Sequence, residues 1–183
     1  MVLPVGEEIY SDEVSLDIDP SDPLLEGHKL AVSIFVKGAS GPLTWHTDSL
    51  STSYLTAPET GDHTSDMNDA AFPFTTTSWY LLDAIEVAAD ADAAVVCAFG
   101  DSITDGVNST LNGTDTWPDQ LSRRLHRAYG NKISVVNEAI SGNTVNSSRP
   151  GGTSVNGPSA LERLDRDVLG LAGLRLRRLV RRN

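Results

Sequence analysis

The sequence predicts an α/β domain preceded by a β-rich segment, and three features of its second half carry this prediction. Residues 93–99 form an apolar run that stops at Gly100, as a strand buried in a parallel sheet does. Residues 121–129 place apolar side chains at the spacing of one helix face, and residues 133–136 form a second apolar run. Strand, helix and strand in this order predict two parallel strands with a right-handed crossover.

The first segment, residues 1–92, is predicted to be β-rich and sandwich-like. Residues 14–18 alternate apolar and polar side chains, which is the period of a half-buried strand. Residues 30–36 are apolar and rich in β-branched side chains, as in a central strand, and residues 78–87 indicate a further strand region. The stretch between them, residues 38–77, is rich in Ser, Thr, Asp, Gly and Pro and predicts short strands or loops.

The second segment, residues 93–183, is predicted to be the α/β domain, and its first helix has clear end signals. Thr116 with Asp119 fits a capping box for a helix that starts near Trp117. Gly130 follows the last apolar residue of the stripe and is a plausible C-cap.

A second helix is predicted to begin at Ser159, with Glu162 three residues on. An open parallel sheet requires another apolar strand after it. Instead, residues 174–183 carry Arg at five of the last nine positions. We interpret this as a premature or frame-shifted end, with a basic interaction tail and a basic amphipathic terminal element as the alternatives.

Composition and charge exclude several function classes. The 183 residues, 39% hydrophobic and 21% charged, are typical of one globular domain or slightly more. The net charge is −11, and the first 99 residues carry 17 Asp/Glu against two Lys, so we expect no nucleic-acid partner. No apolar run reaches the roughly 20 residues of a membrane-spanning helix. The N-terminal residues do not resemble a signal peptide, and the single cysteine, Cys97, excludes an intrachain disulfide.

The most specific chemical signal is the sequence Phe-Gly-Asp-Ser-Ile-Thr-Asp-Gly at residues 99–106. Open α/β sheets place ligands at the carboxyl ends of their strands, and Gly100 permits a tight exit from the preceding strand there. Ser102 is then expected near the amino end of a turn or helix, where free backbone N–H groups favour a developing negative charge. An acyl-transfer nucleophile needs this environment.

Residues 100–106 resemble the first conserved block of the GDSL, or SGNH, esterases and lipases, and residues 136–144 resemble the second. The resemblance implies that Ser102 is the nucleophile and that the N–H of Gly142 helps to form the oxyanion hole. It also implies a flavodoxin-like α/β/α sandwich, no metal or organic cofactor, and a small ester substrate: an acyl ester, a lipid or an acetylated sugar. Some secreted members carry a β-rich segment before the serine block, which residues 1–92 resemble less closely.

Polar residues close to these two blocks are the remaining candidates. Asp101 and Asn143 are the candidate substrate-binding residues, although a local turn role is the favoured alternative for both. Asp105 is expected to cap or brace the serine loop. His46 and His63 match no standard metal-site spacing and are expected at the plain surface.

Two parts of the family pattern do not occur in this sequence. The third block supplies an oxyanion-hole Asn in a Gly-x-Asn-Asp context, and the last block, Asp-x-x-His, supplies the general base. None of the four histidines has Asp three residues before it. We therefore expect a truncated, incomplete domain that is a weak or inactive esterase. The alternative is a non-catalytic fragment that acts as a binding or interaction module. An exposed sheet edge predicts self-association in either case.

Overall fold

The computed structural model describes residues 4, 7–19, 22, 27–146 and 156–174. By its contacts the chain divides into two compact units, Met1–Phe35 and Val36–Asn183. The predicted domain boundary after residue 92 lies inside the second unit, and as a statement about domains it stays a prediction. Within the described ranges, no helix is both long enough and apolar enough to cross a membrane.

The strands predicted at residues 14–18 and 30–36 do not form, which corrects the sequence analysis. Leu16 and Val32 are exposed by 52% and 46% of their surface. An alternating or β-branched pattern becomes a strand only where another strand exchanges backbone hydrogen bonds with it. Among the described residues, neither stretch has such a partner.

The second unit begins with two short antiparallel pairs. Their strands are β1 (Trp45–His46), β2 (Ser53–Leu55), β3 (Phe74–Thr76) and β4 (Trp79–Tyr80). Strand β1 pairs with β4, and β2 pairs with β3. The rings of Trp45 and Tyr80 stack with their centroids 6.1 Å apart, which supports the first pair. Residues 38–77 are predicted to form short strands or loops, and β1, β2 and β3 lie there. In residues 78–87, by contrast, only β4 is strand, so that element is much shorter than predicted.

The α/β part follows in the predicted order. Its elements are β5 (Ala94–Ala98), α1 (Ser102–Asp105), α2 (Trp117–Tyr129), β6 (Ile133–Asn137) and α3 (Ala160–Leu164). Strands β5 and β6 are parallel, with Ala94 opposite Ile133 and Ala98 opposite Asn137. A parallel bridge joins Leu174 to Val95, at the place where the next strand of an open sheet is required. The Arg-rich residues 175–183 lie outside the described residues.

The predicted helix starts are confirmed. Thr116 and Asp119 form the capping box of α2, and Gly130 caps its other end. Ser159 and Glu162 form the capping box of α3. After Leu164 the chain continues as one wide helical turn over Asp165–Leu169. These local signals work because each cap satisfies backbone groups of its own helix, whatever the rest of the chain does.

The apolar core is small and lies where β5 and β6 end. Ala98 and Ala139, exposed by 2% and 3%, are its buried apolar residues within the described part of the chain. Val96 of β5 keeps 36% of its surface exposed. The chain has an α/β fold. The complete flavodoxin-like sandwich and self-association through the sheet edge stay predictions.

Candidate active site

The chain leaves β5 through Gly100 and enters α1 at once. A side chain at Gly100 would place its Cβ 2.6 Å from Thr104 Oγ1, so the turn has room only for glycine. Asp101 caps α1, because its Oδ1 accepts a hydrogen bond of 3.1 Å from the N–H of Ile103. The capping contact accounts for Asp101 as a turn residue. Substrate binding by Asp101 stays a prediction.

Ser102 is the first residue of α1 and is half-buried. Its carbonyl accepts hydrogen bonds from the N–H groups of Gly106 (3.1 Å) and Val107 (2.9 Å), which hold the backbone in place. Its hydroxyl forms no hydrogen bond with any described residue. The serine is thus held by its main chain, while its side chain is not engaged by a base in the described ranges.

Asp105 ends α1 and connects the serine block to the second block. The side chain is 7% exposed. One carboxylate oxygen, Oδ2, accepts hydrogen bonds from the N–H (2.7 Å) and the hydroxyl (2.5 Å) of Ser141. The other oxygen, Oδ1, lies 2.9 Å from Nε2 of His46. Asp105 was expected to brace the serine loop, and it also holds the neighbouring loop and the β1 strand.

Asp105 and His46 each favour the charged form of the other. Burial on its own raises the pKa of the Asp105 carboxyl, but the hydrogen bonds from His46 and Ser141 and the charge of His46 outweigh it. The pKa of Asp105 therefore lies below its ordinary value. The hydrogen bond to Asp105 raises the pKa of His46 above 6.5 against the opposing effect of burial. The expectation of a plain surface role for His46 is therefore wrong.

Gly142, the candidate oxyanion residue, follows Ser141 in the second block. Its φ is +78°, a left-handed conformation that favours glycine. A Cβ at this position would lie 2.7 Å from Asn156 Oδ1. The residue is exposed, and its N–H has no acceptor among the described residues.

Asn143, the other candidate from the second block, is engaged by the chain itself. Its Nδ2 donates hydrogen bonds to the carbonyls of Asn156 (2.8 Å) and Pro158 (2.6 Å). Its Oδ1 accepts a hydrogen bond of 3.1 Å from Nε of Arg163. These contacts fasten the second block to the segment that leads into α3.

The two blocks are joined at the carboxyl ends of adjacent parallel strands. The N–H of Glu138 donates to the carbonyl of Ala98 (2.9 Å), and the N–H of Ile140 donates to the carbonyl of Gly100 (3.2 Å). Asn137 Nδ2 donates to the carbonyl of Thr104 at 3.0 Å. The structure thus brings the loops of Ser102 and Gly142 to one edge of the sheet, as the strand order predicts.

Arg163 of α3 is a buried cation that binds to both blocks. It is 1% exposed, and its guanidinium lies 4.1 Å over the ring of Phe99. Its acceptors are the Glu138 carbonyl (2.5 Å), the Gly100 carbonyl (3.3 Å), Asn143 Oδ1 (3.1 Å) and Asp167 Oδ2 (3.0 Å). The planar, multidonor guanidinium suits such a set of acceptors. The sequence analysis did not identify Arg163, because the apolar residues of the same helix were expected to supply its buried face. Leu161, in the predicted apolar stripe, is instead 63% exposed.

Two further titratable groups lie close to Arg163. Burial, reinforced by the charges of Asp167 and Asp83, raises the pKa of Glu138 to about 7. Burial raises the pKa of the Cys97 thiol to about 11, so at neutral pH it is an unreactive thiol.

Comparison with known families bears on the two sequence blocks. Residues 98–178 match the model of the GDSL-like Lipase/Acylhydrolase family, and this range includes both blocks. The match supports a GDSL/SGNH family assignment for this part of the chain. The family is one of hydrolases, and its members act on esters. A search of curated proteins found no match to the chain.

The remaining histidines have other surroundings. His28 and His126 are exposed. His63 pairs with Asp66 at 2.9 Å, an interaction between neighbours in one loop. Within the described residues, no group of three or more metal-ligating side chains comes together. His46, the histidine of the Asp105 pair, gave no signal in the sequence because the two residues lie 59 positions apart.

Proposed function

We propose that this chain is a serine carboxyl-ester hydrolase in which Ser102 is the nucleophile and the N–H of Gly142 binds the oxyanion. The observation that carries the proposal is the hydrogen-bonded junction of the two family blocks through Asp105. That junction connects the helix of Ser102 to the loop of Gly142, whose N–H is directed to no acceptor among the described residues. Membership of a hydrolase family supports the same chemistry.

In the proposed reaction, Ser102 Oγ attacks the carbonyl carbon of the ester and its proton passes to solvent or to the leaving alcohol. The carbonyl oxygen becomes an oxyanion that accepts hydrogen bonds from the N–H groups of Gly142 and Ser102. Collapse of the intermediate breaks the ester C–O bond and releases the alcohol. Water then hydrolyses the acyl-enzyme and restores the Ser102 hydroxyl.

The Ser102 hydroxyl has no base among the described residues, so we expect slow turnover. A serine hydroxyl without a positioned base is a poor nucleophile, and loss of the base costs on the order of 10⁴- to 10⁶-fold in rate. The substrate we propose is a small ester, drawn from the acyl esters, lipids and acetylated sugars used by the family. Asp101 is proposed to border it.

A fluorophosphonate probe and p-nitrophenyl acetate test the proposal. Phosphonylation, located by peptide mass spectrometry, is expected at Ser102 in the wild-type chain and is expected to be lost in Ser102→Ala. Ser109→Ala is the matched control, because Ser109 is also a half-buried serine and lies in the loop after α1. The proposal fails if Ser102→Ala is labelled and hydrolyses the ester as well as the control. A folded chain without labelling would favour a non-catalytic interaction module.

A further inference from the structure

We propose that His46 is a positioning residue for the oxyanion loop, acting through Asp105 on the Ser141–Gly142 peptide. The loop geometry stands by itself, whereas the catalytic consequence rests on the proposed function. The inference also gives the residues before the serine block a role in the site, since His46 lies in the short β1 strand.

The contact runs through the two oxygens of one buried carboxylate. His46 Nε2 lies 2.9 Å from Asp105 Oδ1 on one side. On the other side, Asp105 Oδ2 binds both the N–H and the hydroxyl of Ser141. A carboxylate with 7% exposure needs a compensating positive charge or donors, and His46 and Ser141 are those groups.

The hydrogen bonds from Ser141 to Asp105 also restrain the peptide unit that follows Ser141. The N–H of Gly142 belongs to the planar peptide that begins with the carbonyl carbon of Ser141. Anchoring Ser141 at its N–H and its hydroxyl restricts where that plane can turn. The φ of +78° at Gly142 is a left-handed conformation that glycine adopts without strain, so this peptide orientation is open to the loop.

His46 is itself placed by the β1–β4 pair. It lies opposite Trp79 in the ladder, and the N–H of Leu81 donates to the carbonyl of Thr44 at 3.1 Å, which extends the pairing. The charged groups that face the imidazole are the Asp105 carboxylate and Asp48, whose backbone also contacts it. Both favour the protonated ring and raise the pKa of His46.

Nuclear magnetic resonance on the full chain tests the coupling without any need for activity. The ¹⁵N–H signals of Ser141 and Gly142 are followed from about pH 5 to about pH 9, together with the His46 ring signal. We expect both amides to titrate with the midpoint of His46, above 6.5. The titration is expected to vanish in His46→Gln. It should persist in His63→Gln, a matched control whose ring pairs with Asp66 at the same 2.9 Å distance. Amides that do not follow His46 in the wild type would overturn the proposal.

The catalytic consequence is read from phosphonylation of Ser102 as a function of pH. His46→Leu removes the donor, and we expect labelling below the His46 pKa to slow by about tenfold, less than the roughly 100-fold cost of deleting an oxyanion donor. His46→Gln keeps a neutral donor and is expected to recover part of the rate without its pH dependence. Equal rates in wild type, His46→Leu and His63→Gln would overturn this consequence. Absent labelling in a wild type whose amides titrate as expected would instead refute the proposed function alone.

Discussion

Removal of the buried guanidinium of Arg163 is expected to destabilise the α/β part strongly. The informative change is Arg163→Met, because methionine keeps an unbranched side chain of similar reach that can still pack against Phe99. The substitution thus deletes the charge and the donors and leaves most of the packing. Four acceptors lose a hydrogen bond: the carbonyls of Gly100 and Glu138, Asn143 Oδ1 and Asp167 Oδ2.

The loss of unfolding free energy depends on the hydrogen bonds and ion pairs that these acceptors retain in the variant. Removing one partner of a buried ion pair costs about 3–5 kcal/mol, because the other charge stays buried and less compensated. Asp167 is 8% exposed but retains a contact of 2.5 Å with Arg166. The carbonyl of Gly100 retains the N–H of Ile140. We therefore expect the low end, about 3 kcal/mol, which corresponds to a fall in Tm of about 6–12 °C for a chain of this size.

Urea unfolding, followed by tryptophan fluorescence and by circular dichroism, measures this difference. The matched control is Arg166→Met, since Arg166 also contacts Asp167 but its side chain is 57% exposed. An exposed ion pair contributes about 0–1 kcal/mol, so the control is expected to lose no more than that. If both variants lose the same free energy of unfolding, the guanidinium of Arg163 does not connect the two blocks in the way described.

Three further predictions follow from the same site. The pKa of His46 is higher in the folded chain than its ordinary value of 6.5. The protonated ring therefore stabilises the fold fully below about pH 6.5, and this stabilisation is lost as the pH rises through the folded pKa. The unfolding free energies of wild type and His46→Leu should therefore differ by about 1 kcal/mol more at about pH 5.5 than at about pH 8.5; a constant difference would contradict the charged pair with Asp105. Gly142→Ala should lower the free energy of unfolding by more than the roughly 1–2 kcal/mol of left-handed backbone strain, because the added Cβ would also crowd the side chain of Asn156. The control Gly38→Ala, at φ +87° in open space, should show the strain only, and equal losses in urea unfolding would refute the crowding. With a pKa of about 11, Cys97 should react with iodoacetamide at neutral pH far more slowly in the folded chain than in urea, and equal rates would contradict its burial.

The elements with local causes could be predicted from the sequence alone. The capping boxes at Thr116 and Ser159 lie within four residues of the backbone groups that they satisfy, and both helices start there. The run that became β5 and the glycine after it predicted where the serine block leaves the sheet. Because parallel strands place their carboxyl ends together, the meeting of the two blocks also followed from strand order.

The contacts between residues far apart in the chain could be identified only in the folded structure. His46 and Asp105 are 59 residues apart, and Arg163 and Gly100 are 63 residues apart. At such separations, no local sequence spacing predicts either contact. The apolar pattern at residues 14–18 predicted a strand that the described chain does not form, since a strand depends on a partner that its own sequence does not contain. Helix caps are satisfied by neighbours in the chain, whereas buried charges and strand edges are satisfied by whatever folding brings beside them.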